Sequence, residues 1–142
     1  MLILAIDTST SAIAVALSDP GGVTTSSSRL DARGHTEHLA PLVTGVLAEA
    51  GLSPTSITDI VVGTGPGPFT GLRVGLVTAL TMGHALGVPV HGVCSLDVLA
   101  TQVQVPPGTE VLVATDARRK EVYWAHYRVG EELRRLAGPA VD

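Results

Sequence analysis

The segment with the most chemical potential runs from Gly63 to Gly75, GTGPGPFTGLRVG. It leads from a short apolar run into a helical pattern, so the first-turn N–H groups of that helix lack intrahelical partners and could bind a phosphate. It is not a P-loop, because it has no Lys, and its spacing does not give GxGxxG after a strand. Pro66 and Pro68 each remove an amide that could cradle an anion, which favours a rigid structural or contact loop. Two acids end apolar runs: Asp7 near the N-terminus and Asp116 in the C-terminal part. A turn after such an acid can approach phosphate and Mg²⁺ closely when Gly stands two residues on. Here those positions hold Ser9 and Arg118. Asp7 and Ser9 therefore form at most a degenerate phosphate-type turn. In the simpler alternative Asp7 caps the turn through Thr8 to Thr10.

Other polar groups are sparse. His35 and His38 stand three apart and on a helix would share a face, a spacing that suits a metal, but no third ligand is evident. A metal-dependent nuclease needs several gathered carboxylates, and Asp7 with Glu49 does not complete a set. Cys94 is the only cysteine, so no internal disulfide, CxxC pair or cysteine zinc site can form. It reads as a small buried hydrophobe. Arg118, Arg119 and Lys120 make a short basic turn that is either an exposed hairpin end or a contact for RNA or an acidic partner. No catalytic residue and no resident metal is assigned.

These groups need a frame. Residues 2–6 are an unbroken apolar run, as in a strand buried on both faces. Residues 11–18 and 23–30 read as two more strands around the Asp19-Pro20-Gly21-Gly22 turn. Leu39, Leu42, Val43, Val46, Leu47 and Ala50 make one helical stripe, with Thr36 as N-cap and Gly51 in the left-handed position that ends it. Residues 57–62 form a strand, Thr70 to Leu86 a helix, residues 88–93 a strand, and Ser95 caps a third helix to about Val103. Strands separated by helices imply parallel crossovers. The order βββαβαβα is that of actin-like and ribonuclease-H-like α/β domains with a mixed sheet. After Pro106-Pro107-Gly108, residues 110–115 and 120–129, with residues 131–142, repeat the opening pattern. The expected division is a first actin-like domain over 1–105 and a linker with the start of a second, incomplete one over 106–142.

Composition sets outer bounds. The chain has 142 residues, 45% hydrophobic and 15% charged, which excludes a disordered tail. Its net charge of -4 argues against a stand-alone nucleic-acid binder. Charge is uneven: residues 1–105 hold three Arg and seven acids, and residues 106–142 hold six Lys or Arg and six acids. Asp7 interrupts the first apolar run, so neither a signal peptide nor a membrane span is expected, and the chain reads as cytoplasmic.

The helix from Thr70 carries only Arg73 and His84 as strongly polar side chains. Gly71, Gly75, Ala79 and Gly83 fall at steps of four, a ridge of small residues, with Leu72, Leu76 and Leu80 beside it. Such a ridge admits close approach of another helix. A helix apolar all round is buried all round, and the expectation is a protein–protein interface on these residues, joined by Leu39, Leu42 and Val46.

ILAIDTST, HTEHLAPLV, IVVGTGPGPFTGLRVG, VPVHGVCSLDVLA and DARRKEVYWAHY together resemble the TsaB (YeaZ) family, whose members are usually longer. The resemblance covers almost the whole chain and rests most firmly on GPGPFTGLRVG. It implies a non-catalytic subunit in the biosynthesis of tRNA threonylcarbamoyladenosine (t6A). Such a subunit pairs with a TsaD (Kae1/YgjD) catalytic subunit, with the ATPase TsaE joining them. Threonylcarbamoyl then moves to N6 of adenosine 37 in ANN-decoding tRNA. ATP and a metal are expected in those partner subunits, tRNA contact only through the complex, and a homodimer when the chain is alone. The helices after residues 34 and 70 are the implied pairing surface. The competing readings are an actin-like ATP-binding enzyme using Asp7 and a glycoprotease-like metallopeptidase using His35 and His38.

Overall fold

A computed structural model describes residues 1–142. Strands β1 (Ile3–Asp7), β2 (Ala12–Asp19) and β3 (Gly22–Leu30) form an antiparallel meander. Helix α1 (His35–Glu49) leads through a short 3-10 turn to β4 (Asp59–Gly63), helix α2 (Phe69–Leu86), β5 (Val90–Val93) and helix α3 (Ser95–Thr101). β4 pairs parallel to β1, and β5 parallel to β4, giving the sheet order β3-β2-β1-β4-β5. This is the actin-like, ribonuclease-H-like arrangement that the element order implies. Strands β6 (Glu110–Arg118), β7 (Glu121–Arg128) and β8 (Arg134–Val141) make a second, antiparallel sheet.

The main core lies between the first sheet and helices α1 and α2. Leu4, Ile6, Ile13, Val15, Leu17, Ile60 and Val62 point from the strands toward Leu39, Val43, Val46, Leu47 and Ala79. With 3% aromatics, this core is filled by branched aliphatic side chains, which suit the pleated surface. On the opposite face of the sheet the side chains are small. Ala5, Ala14, Ala16, Val61 and Val93 line a shallow cavity of about 430 Å³ there, with Val98 of α3 at its end.

The second sheet does not stand alone. α3 serves as its cover: Leu96 and Ala100 meet Ala125 and Tyr127 in a separate small core. The Tyr127 hydroxyl donates to Asp97 Oδ1 at 2.7 Å, and Arg135 faces Asp97 Oδ2 at 3.5 Å. Burial pushes the Tyr127 phenol well above its ordinary value, with the adjacent Asp97 carboxylate adding to the effect.

Three local expectations differ from the structure. α1 begins at His35 with Gly34 as its cap residue, so Thr36 lies inside the first turn and caps nothing. Cys94, not Ser95, is the cap residue of α3. The Ser95 hydroxyl is engaged elsewhere, as described below. β5 starts at Val90, because Val88 N–H donates to Gly83 O and closes the end of α2 instead. Gly87 at φ +67° supplies the left-handed residue that this closure requires.

Thr25 in β3 is 8% exposed and its hydroxyl has no hydrogen-bond partner. An unpaired buried hydroxyl carries its full desolvation cost. Thr25→Val keeps the shape and removes that group, so it is expected to raise stability by about 1 kcal/mol. Urea unfolding of the two proteins measures this, and a variant less stable than the parent would contradict it.

Candidate functional site

The first strand ends in a turn held by its own side chains. Asp7 Oδ1 accepts from the Ser9 amide at 2.8 Å and from the Ser9 hydroxyl at 2.6 Å. Asp7 Oδ2 accepts from the Ser95 hydroxyl at 2.7 Å. Ser95 Oγ in turn accepts from the Gly65 amide at 3.2 Å. A Cβ on Gly63 would overlap Asp7 Oδ2, and one on Gly67 would overlap the Ser9 carbonyl. Asp7 and Ser9 thus tie the β1–β2 turn to the Gly63–Pro68 loop and to the start of α3. The turn-capping role that the sequence allows Asp7 is the one observed.

The next residue, Thr8, is 1% exposed. Its hydroxyl donates to the Gly71 carbonyl at 2.7 Å and accepts from the Gly75 amide at 3.0 Å. One side chain from the sheet therefore sits against the first turns of α2, bonded to both ends of one helical step. Only a helix face without Cβ atoms admits it: a methyl on Gly75 would overlap Thr8 Oγ1. Further along, a Cβ on Gly71 would press on the His35 ring at 3.0 Å, and one on Gly83 would overlap a Val90 methyl.

This corrects the expected interface. Gly71, Gly75, Ala79 and Gly83 are the buried residues of α2 and face their own sheet and α1. The ridge of small residues does permit close approach, but the approaching element is the parent sheet. Leu39 and Val46, each 1% exposed, are core residues for the same reason. Leu42, Leu72 and Leu76 are half-buried, and Leu80 alone of the expected residues is largely exposed, at 61%. The outward side of α2 instead shows Phe69, Arg73, Val77, Leu80 and His84. Phe69 is 71% and Val77 57% exposed, and the Arg73 guanidinium lies over the Phe69 ring at 5.0 Å. Between this side and α1 runs an apolar groove of about 440 Å³, floored by Val43, Leu47 and Met82.

The two histidines diverge. His35 Nε2 donates to the Thr10 carbonyl at 2.8 Å, and His38 Nε2 meets Asp31 Oδ2 at 3.1 Å. The Arg33 amide, aided by His38 and the Gly34 amide, holds the Asp31 carboxyl below the usual carboxylate range. Each ring has its own partner, and no three His, Cys, Asp or Glu side chains gather as a metal site. That donor set does not fit the metallopeptidase alternative. Asp116 Oδ1 accepts the Arg118 amide at 2.8 Å, so the β6–β7 turn mirrors the β1–β2 turn. Arg118, Arg119 and Lys120 follow at φ 65°, 55° and 68°.

Sequence reasoning missed Thr8 and the hydroxyl of Ser95. Their signal is weak: Ser95 sits where a cap is expected, and Thr8 among three turn-formers. Phe69 and Val77 were hidden inside an all-apolar pattern, because periodicity cannot tell which side of such a helix faces the sheet.

Known proteins share this arrangement. A family model described as TsaD, tRNA N6-adenosine threonylcarbamoyltransferase, matches residues 7–142. The tRNA threonylcarbamoyladenosine biosynthesis protein TsaB of Escherichia coli is 43% identical over 92% of this chain and 57% of its own length. YeaZ from Pseudomonas aeruginosa superposes with a TM-score of 0.88 at 36% identity, over 99% of this chain and 66% of that one. The chain belongs to the TsaB (YeaZ) family. An uncharacterized protein of Mycobacterium tuberculosis is 47% identical over 99% of this chain and 64% of its own length. One of Mycobacterium leprae is 50% identical over 38% of its length. The chain thus spans between about a third and two thirds of the relatives it matches.

The Thr8 clamp gives the first test of this TsaB-type site. Thr8→Val removes both bonds and leaves the Gly71 carbonyl and the Gly75 amide only their pairing within the helix, an expected loss of about 1–2 kcal/mol. Gly75→Ala gains helix propensity of about 1 kcal/mol but forces Thr8 aside, and the overpacking wins by about 1–2 kcal/mol. Guanidinium unfolding reads both. Wild-type stability in Gly75→Ala would show that the helix is not held this closely.

Proposed function

We propose that this chain is a non-catalytic partner subunit in t6A biosynthesis, pairing with a TsaD-type catalytic subunit through the outward side of α1 and α2. The observation that carries this reading is the exposed apolar stripe of Phe69, Val77 and Leu80 beside the groove floored by Val43, Leu47 and Met82. Two adjacent helices that expose apolar residues on their outer side can complete a helical bundle with two helices of another subunit. The same stripe suits self-association when the partner is missing, and a TsaE-type ATPase joins the assembled pair. The names of the curated relatives from Escherichia coli and Haemophilus influenzae support the pathway. The Asp7 turn supports a role without phosphoryl chemistry at that position, since both carboxylate oxygens already accept hydrogen bonds within the chain.

In this reading tRNA and ATP are handled by the assembled complex, in the cytoplasm, and no helix here is long and apolar enough to cross a membrane. The division expected at about residue 105 keeps α3 with the first domain in sequence, whereas α3 packs on the second sheet through Leu96 and Ala100. α3 and the second sheet pack as one unit, so the outer side of α1 and α2 is left clear of them.

The interface can be tested without disturbing the core. Leu80→Glu and Val77→Glu place a charge at exposed positions, so the chain's own stability should change by no more than about 0.5 kcal/mol. Co-elution with the TsaD-type subunit on size exclusion should be lost, corresponding to an affinity loss of about 2 kcal/mol or more. Cells carrying only the variant should show reduced t6A in hydrolysed tRNA. Unchanged co-elution with both variants would place the pairing surface elsewhere.

A further inference from the structure

One charged position interrupts the outward apolar side of α2. Arg73 stands four residues after Phe69 and four before Val77, so the three share one side of the helix. It is exposed, and it is the only Arg or Lys on either α1 or α2. The other arginines without an ion-pair partner lie on strands or in connecting loops. Beside Arg73 a notch of about 400 Å³ opens between the start of α1 and the first half of α2. Thr36, Thr70 and Thr78 give it three hydroxyls, Val74 and Val77 give it apolar walls, and no carboxylate lines it. Thr78 also borders the groove floored by Val43, Leu47 and Met82, so notch and groove are continuous.

The Arg73 side chain is prepared for a planar anion. Its guanidinium lies over the Phe69 ring at 5.0 Å. Contact with a ring engages the face of a guanidinium and leaves its N–H donors free. The remaining fork matches the two oxygens of a carboxylate, and a side chain already restrained by a ring loses less freedom on binding. An apolar partner laid over this side would strip water from the cation and return nothing, which is costly. The occupant of the face must therefore bring one acid to this place among apolar residues. A second copy meets that need poorly. About a two-fold axis the same face meets itself, so Arg73 approaches a surface whose one Arg is again unpaired. The acids of the two helices, Glu37 and Glu49 on α1, line neither the notch nor the groove.

We propose that Arg73 is the specificity residue of the pairing face, and that the notch takes one Asp or Glu side chain carried on an otherwise apolar helix of the partner subunit. This rests on the pairing surface assigned above and names the chemistry that the partner brings to it. The hydroxyls of Thr36, Thr70 and Thr78 supply further donors around the carboxylate, and Val74 and Val77 pack against the apolar residues that flank it. The cation thus favours the hetero-pair over self-association through the same helices.

Affinity between the chain and the TsaD-type subunit, measured by surface plasmon resonance across a salt series, provides the test. Analytical ultracentrifugation reads self-association of the chain alone. Arg73→Met keeps an unbranched side chain over Phe69 and removes the charge, and Arg73→Glu reverses it. The position is exposed, so the melting temperatures of both variants should match the parent's. Arg73→Met is expected to pair about tenfold more weakly, with a flatter salt dependence, and Arg73→Glu about a hundredfold or more weakly. Arg73→Lys should recover part of the affinity, and Arg73→Met should self-associate at least as well as the parent. Each Asp and Glu on the partner's helices is then changed to Arg in turn, and one reversal is expected to restore pairing with Arg73→Glu. If Arg73→Met and Arg73→Glu pair as the parent does while Val77→Glu and Leu80→Glu do not pair, the surface stands and the carboxylate contact is overturned. If all four pair as the parent does, the surface itself is misplaced. Loss of self-association in Arg73→Glu with hetero-pairing intact would assign the notch to a second copy and overturn the proposal.

Discussion

The structure depends on one hydroxyl. Thr8 leaves the end of β1 and lies against α2, bonded to the Gly71 carbonyl and the Gly75 amide. A helix packed on a sheet through Leu or Val side chains stands off by the length of those side chains. Here the contact is made through glycines, so the helix comes closer and its azimuth is set by two hydrogen bonds as well as by packing. Dispersion alone fixes rotation about a helix axis weakly. A bridging hydroxyl that must meet both an N–H and a C=O fixes it well. The cost is that Gly71 and Gly75 weaken the helix itself, by roughly 1 kcal/mol each relative to Ala.

Once that azimuth is set, the other surfaces follow. With its glycines turned to the sheet, α2 presents Val77 and Leu80 outward and leaves Phe69 beneath Arg73 at its start. The first turn of α2 is held over the β1–β2 turn, where Asp7, Ser9, Ser95 and Gly65 form one continuous set of hydrogen bonds. Both oxygens of the Asp7 carboxylate accept hydrogen bonds from neighbouring donors. The carboxylate has become a joint between three segments. Through these bonds the turn joins strand, loop and helix.

Most of the fold was legible because its signals are local. Apolar runs end at Asp7 and near Gly63, and a left-handed glycine closes α2 at Gly87, so element type and order could be read from residue pattern alone. The arrangement of helix faces was not legible. From Thr70 to Leu86 nearly every residue is apolar or small, so the pattern has no polar side from which to take a bearing. Glycines at steps of four state that something approaches closely, but not whether it is a partner or the parent sheet. That choice is made by Thr8, more than sixty residues away in the chain. The same limit applies to Ser95, whose hydroxyl bonds across 88 residues to Asp7 rather than capping its own helix. Long-range polar pairs leave no periodic trace in one sequence.

Charge placement keeps most cations away from the apolar outward side of α2. A cluster of arginines beside an apolar pairing face would oppose association by its desolvation cost and by repulsion between copies. Here the two are separated along α2. The apolar residues occupy the outward side of its middle turns, and the cations gather at its N-terminal end and on the β6–β7 turn. Arg73 stands at the boundary, and its cation lies on the Phe69 face rather than toward Val77 and Leu80. The β6–β7 turn reaches that end only because the second sheet is seated on α3 through Tyr127, Ala125, Leu96 and Ala100. The small second core therefore does more than bury Tyr127. It fixes where Arg118 and Arg119 of the β6–β7 turn sit relative to the start of α2.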